Sequence, residues 1–111
     1  YILMRFAEVM FIYAEAANEN GHSDVAIDLL KQIRKRAGIP GYGETVNLPK
    51  PTTTEEVMEL IRKEKRIELS FENCRYFDVR RWGLVNEYFN KAIHGMNVNY
   101  DGNESSNVRR L

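Results

Sequence analysis

A single cysteine, Cys74, excludes a disulfide within the chain and says little about redox compartment. Arg75 beside it would favour a thiolate, but a small residue at a helix end is the simpler role. Histidine occurs only at His22 and His94, both remote in sequence from the densest acid cluster, so neither a metal site nor a Ser/His/Asp arrangement is expected. No glycine-rich phosphate loop opens a helix. Net charge is zero, from 16 basic and 16 acidic residues, and no stretch is basic enough to argue for nucleic acid. No apolar run approaches the roughly 20 residues that a membrane-spanning helix needs. The 111 residues show neither a signal-peptide pattern nor a lipid-attachment cysteine. The chain opens in mid-pattern on Tyr1-Ile2-Leu3-Met4, and the expectation is a piece of a longer protein. Its length suits one domain of modest stability.

What the chain does have is Glu64–Trp82, EKRIELSFENCRYFDVRRW, which sets nine charged residues among Ile67, Leu69, Phe71, Tyr76, Phe77, Val79 and Trp82. On a helix of about 3.6 residues per turn, Val57, Leu60, Ile61, Ile67 and Phe71 share one face. Glu64 and Glu68 fall in the middle of that face and Glu72 at its edge, while Glu59, Arg62, Lys63 and Arg66 lie opposite, toward water. A carboxylate on an apolar stripe needs a cationic partner. Arg75, Arg80 and Arg81 follow at once and are the expected partners. With Asp78 they make a carboxylate–guanidinium network closing one end of a helical core.

The same run resembles the signature of the SusD/RagB family, I-x-x-E-R-R-x-E-L-x-F-E-G-x-R-x-x-D-L-R-R-W. It reads here as Ile61, Glu64, Lys65, Arg66, Glu68, Leu69, Phe71, Glu72, Asn73, Arg75, Asp78, Val79, Arg80, Arg81 and Trp82. Lys65 replaces an arginine, Asn73 the glycine and Val79 a leucine; asparagine also tolerates a left-handed helix end. Arg5-Phe6-Ala7-Glu8-Val9 and Tyr13-Ala14-Glu15-Ala16 resemble a second family stretch, R-Y-A-E-V followed by Y-A-E-A. The resemblance implies a cell-surface nutrient-binding lipoprotein of the outer membrane in Bacteroidetes-type bacteria. Such proteins bind oligosaccharides and act as a lid on a SusC-like TonB-dependent transporter, without being enzymes and without a cofactor. It also implies that a lipid anchor outside these residues is the membrane attachment.

Along the chain, Ile2 to Asn20 reads as a long helix, apolar around most of its girth, which is the pattern of a central helix. Arg5, Glu8, Glu15 and Glu19 are its polar positions, and Gly21 stops it. Ser23 or Asp24 caps a second helix running to Ala37, with Ala26, Leu29, Leu30, Ile33 and Ala37 buried. Lys31, Arg34, Lys35 and Arg36 face water. The short link makes the two helices antiparallel, resembling one tetratricopeptide repeat. Gly38–Thr53 holds all three prolines and is a loop. Thr53 and Glu56 form a capping box opening a third helix, Thr54 to Asn73. A short angled helix, Arg75 to Trp82, ends at Gly83, and Leu84 to Ile93 is a weak further one. Met96 to Tyr100 reads as extended, and residues 95–111 as a flexible tail. The expected fold is all-α: a single domain over 1–111, with a tetratricopeptide-like hairpin, a third long helix and a short kinked one.

Two aromatics are candidates for stacking on sugar: Tyr42, between two glycines, and Trp82, whose indole face suits a pyranose. Against this, Tyr42 can fold back onto the hairpin, and Trp82 can pack beneath an arginine. Glu64, Glu68 and Glu72 have roughly the spacing of a glycosidase pair, but the crowd of arginines favours ionised structural acids. No catalytic or metal-binding residue is assigned. A stand-alone helical-repeat module that binds a protein partner is the alternative reading.

Overall fold

The structure, a computed structural model, describes residues 3–92 in full and the backbone of His94–Met96 and Val108–Arg110. Among the described residues the elements are α1 (Phe6–Glu19), α2 (Ser23–Arg36), α3 (Thr54–Glu68), α4 (Cys74–Arg81), α5 (Val85–Phe89), β1 (His94–Met96) and β2 (Val108–Arg110). The chain divides into two compact units, Tyr1–Arg75 and Tyr76–Leu111. The fold is all-α, as the periodicities require, with one small antiparallel ribbon added.

The first unit is three packed helices. α1 ends because Gly21, at φ +81°, takes a left-handed conformation that other residues avoid, and the His22 N–H then reaches back to the Ala17 carbonyl. That turn returns α2 along α1, so Arg5, Phe6, Ala7 and Met10 sit beside Gln32, Ile33 and Arg36. α2 closes on the same motif at Gly38, with Ile39 N–H bonded to the Arg34 carbonyl. α3 starts on the expected capping box: Thr53 accepts from Glu56 N–H at 3.1 Å, and the Glu56 carboxylate accepts from Thr53 N–H at 3.3 Å. It runs antiparallel to α1, since Asn18 at one end of α1 donates to the Thr54 carbonyl and Arg5 at the other reaches Glu68.

Phe11, Ala14, Ala26, Leu30, Val57 and Ile61 form the centre of this unit, each almost wholly buried. At about 1.5–3 kcal/mol per large apolar side chain removed from water, they outweigh any single polar contact. Alanines at 14 and 26 leave room for the close approach of α1 and α2. The opposite face of α1 is uncovered in this unit: Phe6, Val9, Ile12 and Tyr13 are all exposed.

Several boundaries move. α1 begins at Phe6 rather than Ile2, and α2 begins at Ser23 with His22 in the cap position, where no side chain caps it. The Ser23 hydroxyl instead donates to the Asn18 side-chain carbonyl at 2.8 Å. α3 stops at Glu68, five residues short of Asn73. There the Ser70 hydroxyl donates to the Arg66 and Ile67 carbonyls, at 2.7 and 2.9 Å, and Phe71 and Asn73 both take positive φ, +65° and +63°. The asparagine standing for the family's glycine thus adopts the conformation that glycine favours. Ile67, still within α3, lies off the buried face that runs through Met58, Ile61 and Lys65, and Phe71 falls beyond the helix end; both are exposed, Phe71 completely.

In the second unit α4 buries Asp78 and Val79, while Tyr76 and Phe77 stand exposed with ring centroids 5.4 Å apart, edge to face. The Leu84 N–H bonds the Val79 carbonyl, which ends α4 at Gly83 as expected. β1 and β2 pair antiparallel, His94 opposite Arg110. The extended reading of Met96–Tyr100 and the flexible tail 95–111 fall mostly outside the described residues; at Val108–Arg110 the backbone is a strand.

Candidate functional site

Glu64 is buried and Glu68 half-buried where the apolar stripe of α3 places them, and each finds a guanidinium. Glu64 and Arg34 bring their side chains to 2.5 Å, with only 6% and 12% of each exposed. The Tyr42 hydroxyl donates to the same Glu64 oxygen at 2.5 Å, and the Arg34 guanidinium lies 4.7 Å from the centre of the Tyr42 ring. Burial, and then the bond to Glu64, push the Tyr42 hydroxyl well above its ordinary pKa. Glu68 receives both Arg5, at 3.1 Å, and Arg36. Arg5 also bonds the Glu68 carbonyl at 3.0 Å and grips Glu72 through Nε and Nη2, the shortest contact being 2.6 Å. These bonds, first to Glu72 and then to Glu68, hold the Arg5 guanidinium above its usual value. Arg5 thus pins the start of α1 to the end of α3.

The partners differ from those the sequence suggests. Among the described residues Glu64, Glu68 and Glu72 are held by Arg34, Arg36 and Arg5, not by Arg75, Arg80 or Arg81. Arg34 and Arg36 belong to the group expected to face water. Arg34 turns inward because it follows Ile27 and Leu30 at helical spacing, one turn further along the buried face. Within the second unit Arg81 pairs with Asp78 at 3.1 Å, and Arg80 donates to the Tyr76 hydroxyl at 2.9 Å with its guanidinium 5.3 Å from that ring's centre. Of the other acids on α1, Glu15 is buried with Lys65 at 3.6 Å, and Glu8 lies 3.7 Å from the Cys74 sulfur. Lys65 follows Met58 and Ile61 at the spacing at which Arg34 follows Ile27 and Leu30, and turns inward for the same reason.

The two sugar-stacking candidates behave differently. Tyr42 is 4% exposed and spends its hydroxyl on Glu64, which removes it as a platform. Trp82 is half-buried with the Arg81 guanidinium 5.5 Å from its ring centre. Among the described residues the exposed aromatics are Phe6, Tyr13, Phe71, Tyr76, Phe77 and Phe89, none of them singled out for stacking by sequence.

Among the described residues of the first unit lie three grooves. One of about 680 Å³ runs between the loop residues Tyr42, Leu48, Pro49 and Pro51 and the α3 residues Glu59 and Leu60. The others, of about 280 and 340 Å³, flank α1. Glu64, Glu68 and Glu72 line none of the three. A carboxylate pair that acted on a glycosidic bond would open onto such a groove. The one E-x-x-H spacing, Glu19 to His22, straddles the end of α1. Among the described residues no three histidine, cysteine or acidic side chains gather as metal ligands, and no helix is long and apolar enough to cross a membrane.

The Arg5 bonds hold the Glu72 carboxyl below the ordinary glutamate value. Its folded-state pKa is therefore the lower one. The stabilisation is whole above the ordinary value and is lost as pH falls through the folded one. Melts of the protein and of Glu72→Ala are expected to differ near pH 6 and to converge toward about pH 2. A gap that stays constant over that range contradicts the assignment.

The SusD family model matches residues 1–111. SusD-like protein P2 of Formosa agariphila is 36% identical over 105 residues, covering 93% of this chain and 21% of that protein. SusD-like protein P38 of the same organism is 33% identical over 97 residues, covering 86% and 18%. The crystal structure of a SusD-like protein from Bacteroides fragilis superposes with a TM-score of 0.76 at 38% identity, across 86% of this chain and 17% of that one. The chain spans about a fifth of the length of these relatives. Matched along its whole length in sequence, and over most of it in fold, the chain belongs to the SusD family.

Proposed function

We propose that this chain is a helical scaffold element of a cell-surface nutrient-binding lipoprotein that captures oligosaccharide and works with a SusC-like TonB-dependent transporter at the outer membrane. The observation that carries the scaffold reading is the fate of the motif. Its three glutamates are spent on Arg5, Arg34 and Arg36, which tie the helices together from the buried Glu64 out to Glu72 at the surface, and they line no groove described above. A polar motif engaged in this way positions helices. The Asp78–Arg81 pair of α4 does the same service within the second unit, and Arg75 and Arg80 belong to the same structural set. The element is non-enzymatic and needs no cofactor. The longer protein would supply the sugar-contacting aromatics and the lipid anchor.

The test is a calorimetric titration of the chain with maltooligosaccharides and other common glycans. No saturable heat is expected up to about 1 mM, the range of about −4 kcal/mol in binding free energy. Saturation in the micromolar range, abolished by Trp82→Ala with the fold intact, overturns the scaffold reading. The alternative, a helical-repeat module that binds a protein partner, draws on the exposed Phe6, Val9, Ile12 and Tyr13 of α1. It predicts apolar-dye binding or self-association that is lost when Phe6 and Tyr13 are made polar.

A further inference from the structure

We propose that residues 39–48 form a strap that opens as one unit about its root at Ile39 and Pro40, its centre fastened to the helices by one latch, the Tyr42 hydroxyl on Glu64. The strap carries its own shape. Glu44 N–H bonds the Gly41 carbonyl at 3.2 Å, Gly43 N–H the Leu48 carbonyl at 2.7 Å and Leu48 N–H the Thr45 carbonyl at 3.1 Å. The Glu44 carboxylate accepts from Gly41 N–H at 2.6 Å. None of these bonds reaches a helix, so none fastens the strap; once the ring withdraws they are left in water and open together.

Its hold on the helices is narrow. Between residues 39 and 48 only Gly41 and Tyr42 are buried and Leu48 is half-buried, while Val46 is wholly exposed. Two polar side-chain links run to the helices: Arg34 Nε to the Pro40 carbonyl at 2.7 Å, at the strap's root, and Tyr42 to Glu64 at 2.5 Å, at its centre. Both end on the Arg34–Glu64 pair, which α2 and α3 make with each other. The receiving groups therefore survive opening. Gly41 lets the ring dip in, because a Cβ there would lie 2.7 Å from the Lys31 Cγ. A segment with few buried apolar contacts and internal hydrogen bonds is the kind that opens sub-globally while its scaffold stays folded. Lifting it uncovers Arg34 and Glu64 and removes the Tyr42–Leu48 wall of the groove along α3.

Amide hydrogen exchange on the whole chain tests this. In the unaltered protein Gly43 and Leu48 are expected to exchange faster than Leu30 and Ile61 but more slowly than free amides. Tyr42→Phe, which removes only the latch hydroxyl, is expected to speed Gly43 and Leu48 together by about tenfold or more, with Leu30 and Ile61 unchanged. Tyr42→Ala extends the same pattern and Val46→Ala leaves it untouched. Three results overturn the proposal: strap amides unaffected by Tyr42→Phe, strap and helix amides speeded by one common factor, or strap amides already at the free rate in the unaltered protein.

Discussion

Arg34→Ala is expected to cost about 3–5 kcal/mol of folding free energy, because it leaves the Glu64 carboxylate buried without its guanidinium. Stabilities of small domains are on the order of 5–15 kcal/mol, so much of the margin goes with one side chain. The cost comes from the stranded charge and not from the worth of the pair. Replacing both partners with apolar residues of similar size, Arg34→Met with Glu64→Leu, is therefore expected to recover most of the loss. Urea unfolding of the two single variants and the double one reads this directly. Additive losses in the double variant show that the two residues do not act as a pair.

The second large effect is in the core. Phe11 is wholly buried between the helices of the first unit. Phe11→Ala is expected to cost about 3–5 kcal/mol, the lost burial plus the cavity left behind. Phe6, five residues earlier on the same helix and 77% exposed, is the internal comparison. Phe6→Ala is expected to change stability by less than about 0.5 kcal/mol. Equal effects at the two positions mean that the outer face of α1 is covered in solution.

The contrast between Phe11 and Phe6 shows where sequence reading runs out. Periodicity marks α1 as apolar on nearly every side but not which side its neighbours take; packing with α2 and α3 decides that. The capping box at Thr53 and Glu56, and the stops at Gly21 and Gly83, were legible because they depend on neighbours within a turn. The burial of Glu64 and the low exposure of the Glu68 side chain were legible for the same reason, being a matter of helical spacing. Their partners were not, since Arg5 and Arg34 reach them across 63 and 30 residues of chain and only the tertiary arrangement brings them together. Arg34 left one trace, its position a turn beyond Leu30, but four basic residues in six masked it as a wet face. Phe71 was misplaced because the stripe was extended past Leu69, where Ser70 and two left-handed residues end the helix, and Ile67 because the buried face of α3 runs through Met58, Ile61 and Lys65 instead. Tyr42 looked available because glycines flank it; those glycines are what let it fold inward.

If the motif is structural, its acids and its stability stand together, and Glu68→Gln is the most direct probe. Glu68 holds both Arg5 and Arg36, whereas the nearby Arg66 is exposed. Thermal melts of Glu68→Gln and Arg66→Ala, run beside glycan-binding and glycan-cleavage assays on the same samples, measure both properties at once. The account predicts a clearly lowered melting temperature for Glu68→Gln, none for Arg66→Ala, and no glycan binding or cleavage for either variant or the unaltered protein. An unchanged melting temperature for Glu68→Gln, together with a glycan-binding or cleaving activity that this substitution abolishes, would contradict it.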